Sequence, residues 1–74
     1  MKTLKLTAII EREGDGYVAL CPEIDVASQG ATRDEARSNL REAVDLFFET
    51  ADQSEIDERV LSEMSIEPFE VKIA

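Results

Sequence analysis

Gly14-Asp15-Gly16-Tyr17-Val18-Ala19-Leu20-Cys21-Pro22 is the stretch whose reading sets the architecture. Glycines on either side of an aspartate tolerate positive φ and allow a tight reversal. A run of strand character, Tyr17 to Cys21, follows and stops at Pro22, which has no N–H to give to a ladder. A strand that leaves a tight turn needs an antiparallel partner before it. Upstream, Leu4, Leu6, Ala8 and Ile10 alternate with Thr3, Lys5, Thr7, Ile9 and Glu11, a period of two that predicts that partner. Downstream, Ile24 to Gln29 reads as a shorter third strand centred on Val26 and ended by Gly30.

A helix follows. Thr32 is a good N-cap and Glu35, three residues on, completes a capping box, while Asp34 and Glu35 suit the positive end of the helix dipole. Ala36, Leu40, Ala43, Val44, Phe47 and Ala51 recur at the spacing of one buried face, with Phe48 at its edge. Asp52-Gln53-Ser54 interrupts this pattern. Ser54 to Met64 reads either as a short second helix, capped by Ser54 with Asp57 reciprocating, or as an ordered connection. The tail returns to a period of two, with Phe69, Val71 and Ile73 on one side and Glu70 and Lys72 on the other, which predicts a fourth strand.

The expected fold is therefore α+β: a β-β-β-α-β unit with a four-stranded sheet and one main helix packed on one face. Its helical crossover should be right-handed. Residues 1–74 leave room for a single domain only. One helix cannot cover both faces of such a sheet, and Val18 and Leu20 point opposite to Tyr17, Ala19 and Cys21, with Ile9 opposite Leu6 and Ala8. The uncovered face or a strand edge should thus meet another chain, and a homo-oligomer (dimer or tetramer) is expected.

Composition narrows the function. The absence of histidine removes the usual general base and metal ligand, and the lone Cys21 rules out an internal disulfide or a cysteine-cluster zinc site. Neither a metal nor a cofactor is expected. Eight basic against seventeen acidic side chains give a net charge of −9, which disfavours nucleic-acid binding by the chain alone and favours a basic protein partner. The excess is uneven: residues 1–41 carry about −1 and residues 42–74 about −8. No apolar run is long enough to span a membrane and no signal-peptide core follows Met1, so a cytoplasmic location is expected.

Three blocks, read in order, resemble the HicB antitoxin family: Gly14 to Ile24 (GDGYVALCPEI), Ala27 to Ala36 (ASQGATRDEA) and Leu40 to Glu49 (LREAVDLFFE). The resemblance spans roughly residues 4–50 and implies a partial RNase H-like fold. It also implies a partner, a small basic HicA-like toxin that cleaves RNA and is silenced on binding. Many members of that family carry a C-terminal DNA-binding segment. The last third of this chain is acidic and lacks a basic recognition helix, so none is expected here.

The RNase H likeness does not imply catalysis. A two-metal nuclease needs carboxylates converging from a first strand, yet Leu6-Thr7-Ala8-Ile9 contains no acid, so the protein is not expected to be an enzyme. Cys21, with no histidine to activate it, reads as a small buried hydrophobe. Ser28-Gln29-Gly30 reads as helix initiation more than as an anion loop. Tyr17, Phe47, Phe48 and Phe69 read as core, since no basic groove accompanies them. The candidate partner-binding residues are the acids Glu42, Asp45, Glu49, Asp52, Glu55, Asp57 and Glu58, within an acidic run that reaches Glu63, and the apolar Ile9, Val18 and Leu20. The alternative function is an orphan oligomeric adaptor or ligand-binding module with no cognate toxin.

Overall fold

Strands β1 (Ile9–Glu13) and β2 (Gly16–Cys21) are joined by Gly14-Asp15, with Glu13 opposite Gly16. Gly14 has φ of 59° while Asp15 does not enter the positive-φ region, the arrangement of a hairpin turn that puts glycine at its first central position. Strand β3 (Val26–Gly30) pairs antiparallel with β2, giving a sheet of order β1-β2-β3. Helices α1 (Arg33–Thr50) and α2 (Gln53–Val60) follow. The computed structural model describes residues 4–60 and 64–74.

The chain order is β-β-β-α-α, still α+β, and it corrects the expected four-stranded β-β-β-α-β unit with one main helix. Phe69, Val71 and Ile73 alternate as a strand would, but the segment from Ser65 onward is exposed and pairs with no described strand. With no fourth strand among the described residues, the expected right-handed crossover is absent from them as well. Phe69 is 85% exposed, so its placement in the core is also corrected.

The first strand starts later than its alternation predicts. Extending the observed register of Ile9 against Leu20 would set Thr7 opposite Pro22, which can donate nothing. Thr7 turns to Glu23 instead. Its backbone N–H donates to Glu23 Oε1 at 3.0 Å and its hydroxyl to Glu23 Oε2 at 2.5 Å. Leu4 to Ala8 thus run on from β1 without ladder bonds, held by a side chain.

The core lies between α1 and one sheet face. Ala19, Cys21, Ile24, Ala36 and Leu40 are buried, with Leu6, Ile10, Tyr17, Val26, Val44, Phe47 and Phe48 packed around them. Ile24 sits in the turn between β2 and β3, where Asp25 takes a φ of 54°, and its side chain is 1% exposed. Burying a side chain of this size contributes roughly 1.5–3 kcal/mol. Phe47 and Phe48 meet edge to face with centroids 5.2 Å apart.

Helix α1 begins as its capping box predicts. Thr32 Oγ1 accepts from the Glu35 N–H at 3.1 Å. The Glu35 carboxylate reaches back to the N–H of Ala31, one residue before the cap, at 3.0 Å. The helix ends at Ala51, whose backbone turns extended (ψ 143°) after its N–H donates to the Phe47 carbonyl. Two residues later α2 starts, and its cap is Asp52, not Ser54. Asp52 Oδ1 accepts from the Glu55 N–H at 2.9 Å and from the Ser54 hydroxyl at 2.8 Å. Asp57 accepts from the Gln53 amide at 2.8 Å and takes no part in capping. Of the segment 54–64, residues 61–63 lie outside the described residues and Met64 is not helical.

Arg59 anchors α2 to the body. It donates to the Ile24 carbonyl at 2.5 Å, lies 5.2 Å from the centroid of the Phe47 ring, and pairs with Glu55 at 3.5 Å. The turn that buries Ile24 and the acidic helix α2 are tied together through this guanidinium.

Candidate partner-binding surface

Pleating sends alternate residues of β2 to opposite faces. Ala19 and Cys21 point to α1 and are buried, while Val18 and Leu20 point away and remain half-buried. Across that outer face Ile9, Leu20 and Ala27 form one cross-strand row, and Glu11, Val18 and Gln29 the next. Ile9 is 37% exposed. The three apolar candidates Ile9, Val18 and Leu20 are thus brought together on the sheet face that no helix covers.

The acidic candidates lie elsewhere. Glu42, Asp45 and Glu49 are exposed on α1, and Asp52 and Glu58 are exposed at the start and on the side of α2. Asp57 is exposed but engaged by Gln53, and Glu55 is half-buried beside Arg59. Asp45 pairs loosely with Arg41 at 3.9 Å, in a solvated geometry that contributes little. Because α1 packs on the inner sheet face, its acids and the apolar trio occupy opposite sides of the molecule. Glu63 lies outside the described residues.

Two carboxylates have a firm structural task. Partial burial pushes the Glu23 carboxyl upward, but the two Thr7 donors outweigh it and hold it below its ordinary value. At Asp52 the Glu55 N–H and the Ser54 hydroxyl lower the pKa of an exposed carboxyl. Cys21 moves the other way, raised by burial first and then by its hydrogen bond to Glu23 (3.5 Å) and that residue's charge. The thiol is therefore protonated and poorly nucleophilic at neutral pH.

In the sequence Glu23 stands out only as part of the block Gly14 to Ile24. The signal for its larger role is its place directly after Pro22, where the ladder stops and the Thr7 N–H takes a side-chain acceptor. Near the helix start, the Glu35 carboxylate takes the Ala31 N–H and the Asn39 amide donates to the Gln29 carbonyl at 2.8 Å. A negative group already occupies the place that a bound anion would take.

Beside the start of β1 a groove of about 650 Å³ opens between Leu4–Ala8 and α1. Leu4, Leu6, Leu40, Val44 and Phe48 supply its apolar lining, and Arg37 and Arg41, against the single acid Asp45, its net positive charge. Among the described residues no group of three or more His, Cys, Asp or Glu side chains is placed to hold a metal ion. Nor is any described helix long and apolar enough to cross a membrane.

A model of a family of unknown function, DUF7387, matches residues 6–73. A UPF0150 protein of Synechocystis sp. is 48% identical over 65 residues, which cover 85% of this chain and 88% of that protein. A UPF0150 protein of Helicobacter pylori is 30% identical over 70 residues, covering 93% of this chain and 97% of its own length. No solved structure matches the chain. With nearly its whole length matched by the family model and by both relatives, the chain belongs to the DUF7387 family and is a member of UPF0150.

Proposed function

We propose that this chain acts as a HicB-like antitoxin, binding a small basic RNA-cleaving toxin by protein contact and neutralising it without catalysis. The observation that carries this reading is the fixed acidic surface. Glu42, Asp45, Glu49, Asp52 and Glu58 stand exposed on two helices that Arg59 and the core hold in place. Such a surface raises the encounter rate with a basic protein and orients it. The motif blocks from Gly14 to Glu49 support the same reading, and all of them fall inside the family match.

The test begins by looking for a small basic protein encoded beside this chain, whose absence would count against the proposal, and takes that protein as the partner. Co-expression should restore growth that the toxin alone arrests, and the two should co-purify. The triple substitution Glu42→Lys, Glu49→Lys, Glu58→Lys should slow association at least about tenfold at low salt, with the difference shrinking as salt screens the charges. Failure of the wild-type chain to bind or to rescue would overturn the proposal and leave the orphan adaptor reading.

A further inference from the structure

We propose that residues 65–74 form an arm that docks in the groove beside β1 of a second copy of this chain, with the second arm returned in the same way. In the described chain the arm lies outside its own groove. All of its residues are exposed, with Phe69, Val71 and Ile73 at 85%, 68% and 89%, and its one side-chain hydrogen bond, Ser65 to Glu67, is internal. Large apolar groups at alternate positions of an extended segment make one continuous greasy edge, which water disfavours and a matching cleft would cover.

The groove between Leu4–Ala8 and α1 matches that edge in chemistry and in length. Leu4, itself 44% exposed, joins Leu6, Val44 and Phe48 as an apolar floor. Arg37 forms no ion pair among the described residues, and Arg41 has only its long contact with Asp45. Glu67 and Glu70 on the arm offer a carboxylate to Arg37 and a closer one than Asp45 to Arg41. At about 3.3 Å per residue Leu4–Ala8 extend roughly 17 Å, the reach of the five arm residues Phe69 to Ile73 that carry the apolar edge.

Reciprocal docking closes on itself, since each copy gives one arm and receives one, so it stops at two copies. Arm and groove together supply close to the roughly 20–30 residues a side of a standard interface. The occupant is a second copy because each arm is exposed outside its own groove, and because the groove, with Arg37 and Arg41 against Asp45, is net positive while the arm, with Glu67 and Glu70 against Lys72, is net negative. A basic toxin would be repelled by Arg37 and Arg41.

The decisive experiment uses the full chain alone, in a Cys21→Ser background. One preparation carries Ala8→Cys, another Val71→Cys, and the two are mixed and oxidised. A disulfide joining the two species is expected, together with sedimentation of the unsubstituted chain as a dimer at roughly ten micromolar. Val71→Asp should weaken that dimer by at least about a hundredfold while leaving the far-ultraviolet circular dichroism unchanged, since no described element depends on the arm. A monomeric chain would overturn the proposal. So would a disulfide that forms only within a chain carrying both cysteines, or a dimer indifferent to Val71→Asp and to removal of residues 65–74. No toxin is present in the measurement, so its failure and the failure of the antitoxin reading are separable.

Discussion

Glu23→Gln should destabilise the protein by about 1–2 kcal/mol at neutral pH and should flatten its response to acid. In the folded chain the carboxylate accepts from the Thr7 N–H at 3.0 Å and from the Thr7 hydroxyl at 2.5 Å. A hydrogen bond to a charged group contributes about 1.5–3 kcal/mol, toward the lower end where, as here, the acceptor is only partly buried. Glutamine can accept from the Thr7 N–H and donate to the Thr7 hydroxyl, so both contacts can persist, but each loses the strength that the carboxylate charge gives it. The pH dependence follows from the direction of the shift. The folded carboxyl lies below its ordinary 4.5, so its stabilisation is whole above that pH and drains away as pH falls through the lower folded value. Urea unfolding followed by circular dichroism at pH 7 and at pH 3 measures both effects. The gap between wild type and variant should be widest at pH 7 and should narrow in acid. Equal stabilities at pH 7, or a gap that does not change with pH, would refute the clamp.

Gly30→Ala should cost about 1–3 kcal/mol, because the added methyl would meet the Ala36 backbone N at 2.5 Å and the Glu35 backbone carbon at 2.8 Å, neither of which can swing aside; thermal unfolding checks this. Arg59→Ala should release α2 while leaving α1 in place. Amide exchange in residues 53–59 should then approach that of an unprotected chain, with Ala36 to Val44 unchanged, and equal loss in both helices would show that Arg59 supports the whole fold instead.

What could be read in advance was local. The Gly14-Asp15 reversal, the stop at Pro22 and the Thr32 cap each follow from one residue's covalent geometry or hydrogen-bonding capacity, and each stands where the residues imply. The stripe through Ala36 and Leu40 was legible because helical period and burial agree. The fourth strand was misread since alternation specifies a shape that wants a neighbour and says nothing of whether the same chain supplies one. Asp52 displaced Ser54 as cap because both are good caps, and the choice rests on where α1 stops, at Thr50, which neither residue fixes. The Ile24 plug and the Arg59 anchor join positions far apart in the chain, and no periodicity announces such a contact. At the candidate site the residue types were legible, but their distribution over opposite sides was not, because it depends on which sheet face α1 covers.

That two-sidedness has a practical result. A ligand resting on the Ile9–Leu20–Ala27 row and another gripping Glu42 or Glu49 are separated by the full thickness of a sheet and a helix, roughly 20 Å. They can be seated simultaneously without touching. Any cooperativity between them must pass through the small, tightly filled interior around Ala19 and Leu40, so trimming that interior should alter the crosstalk while leaving each separate affinity intact.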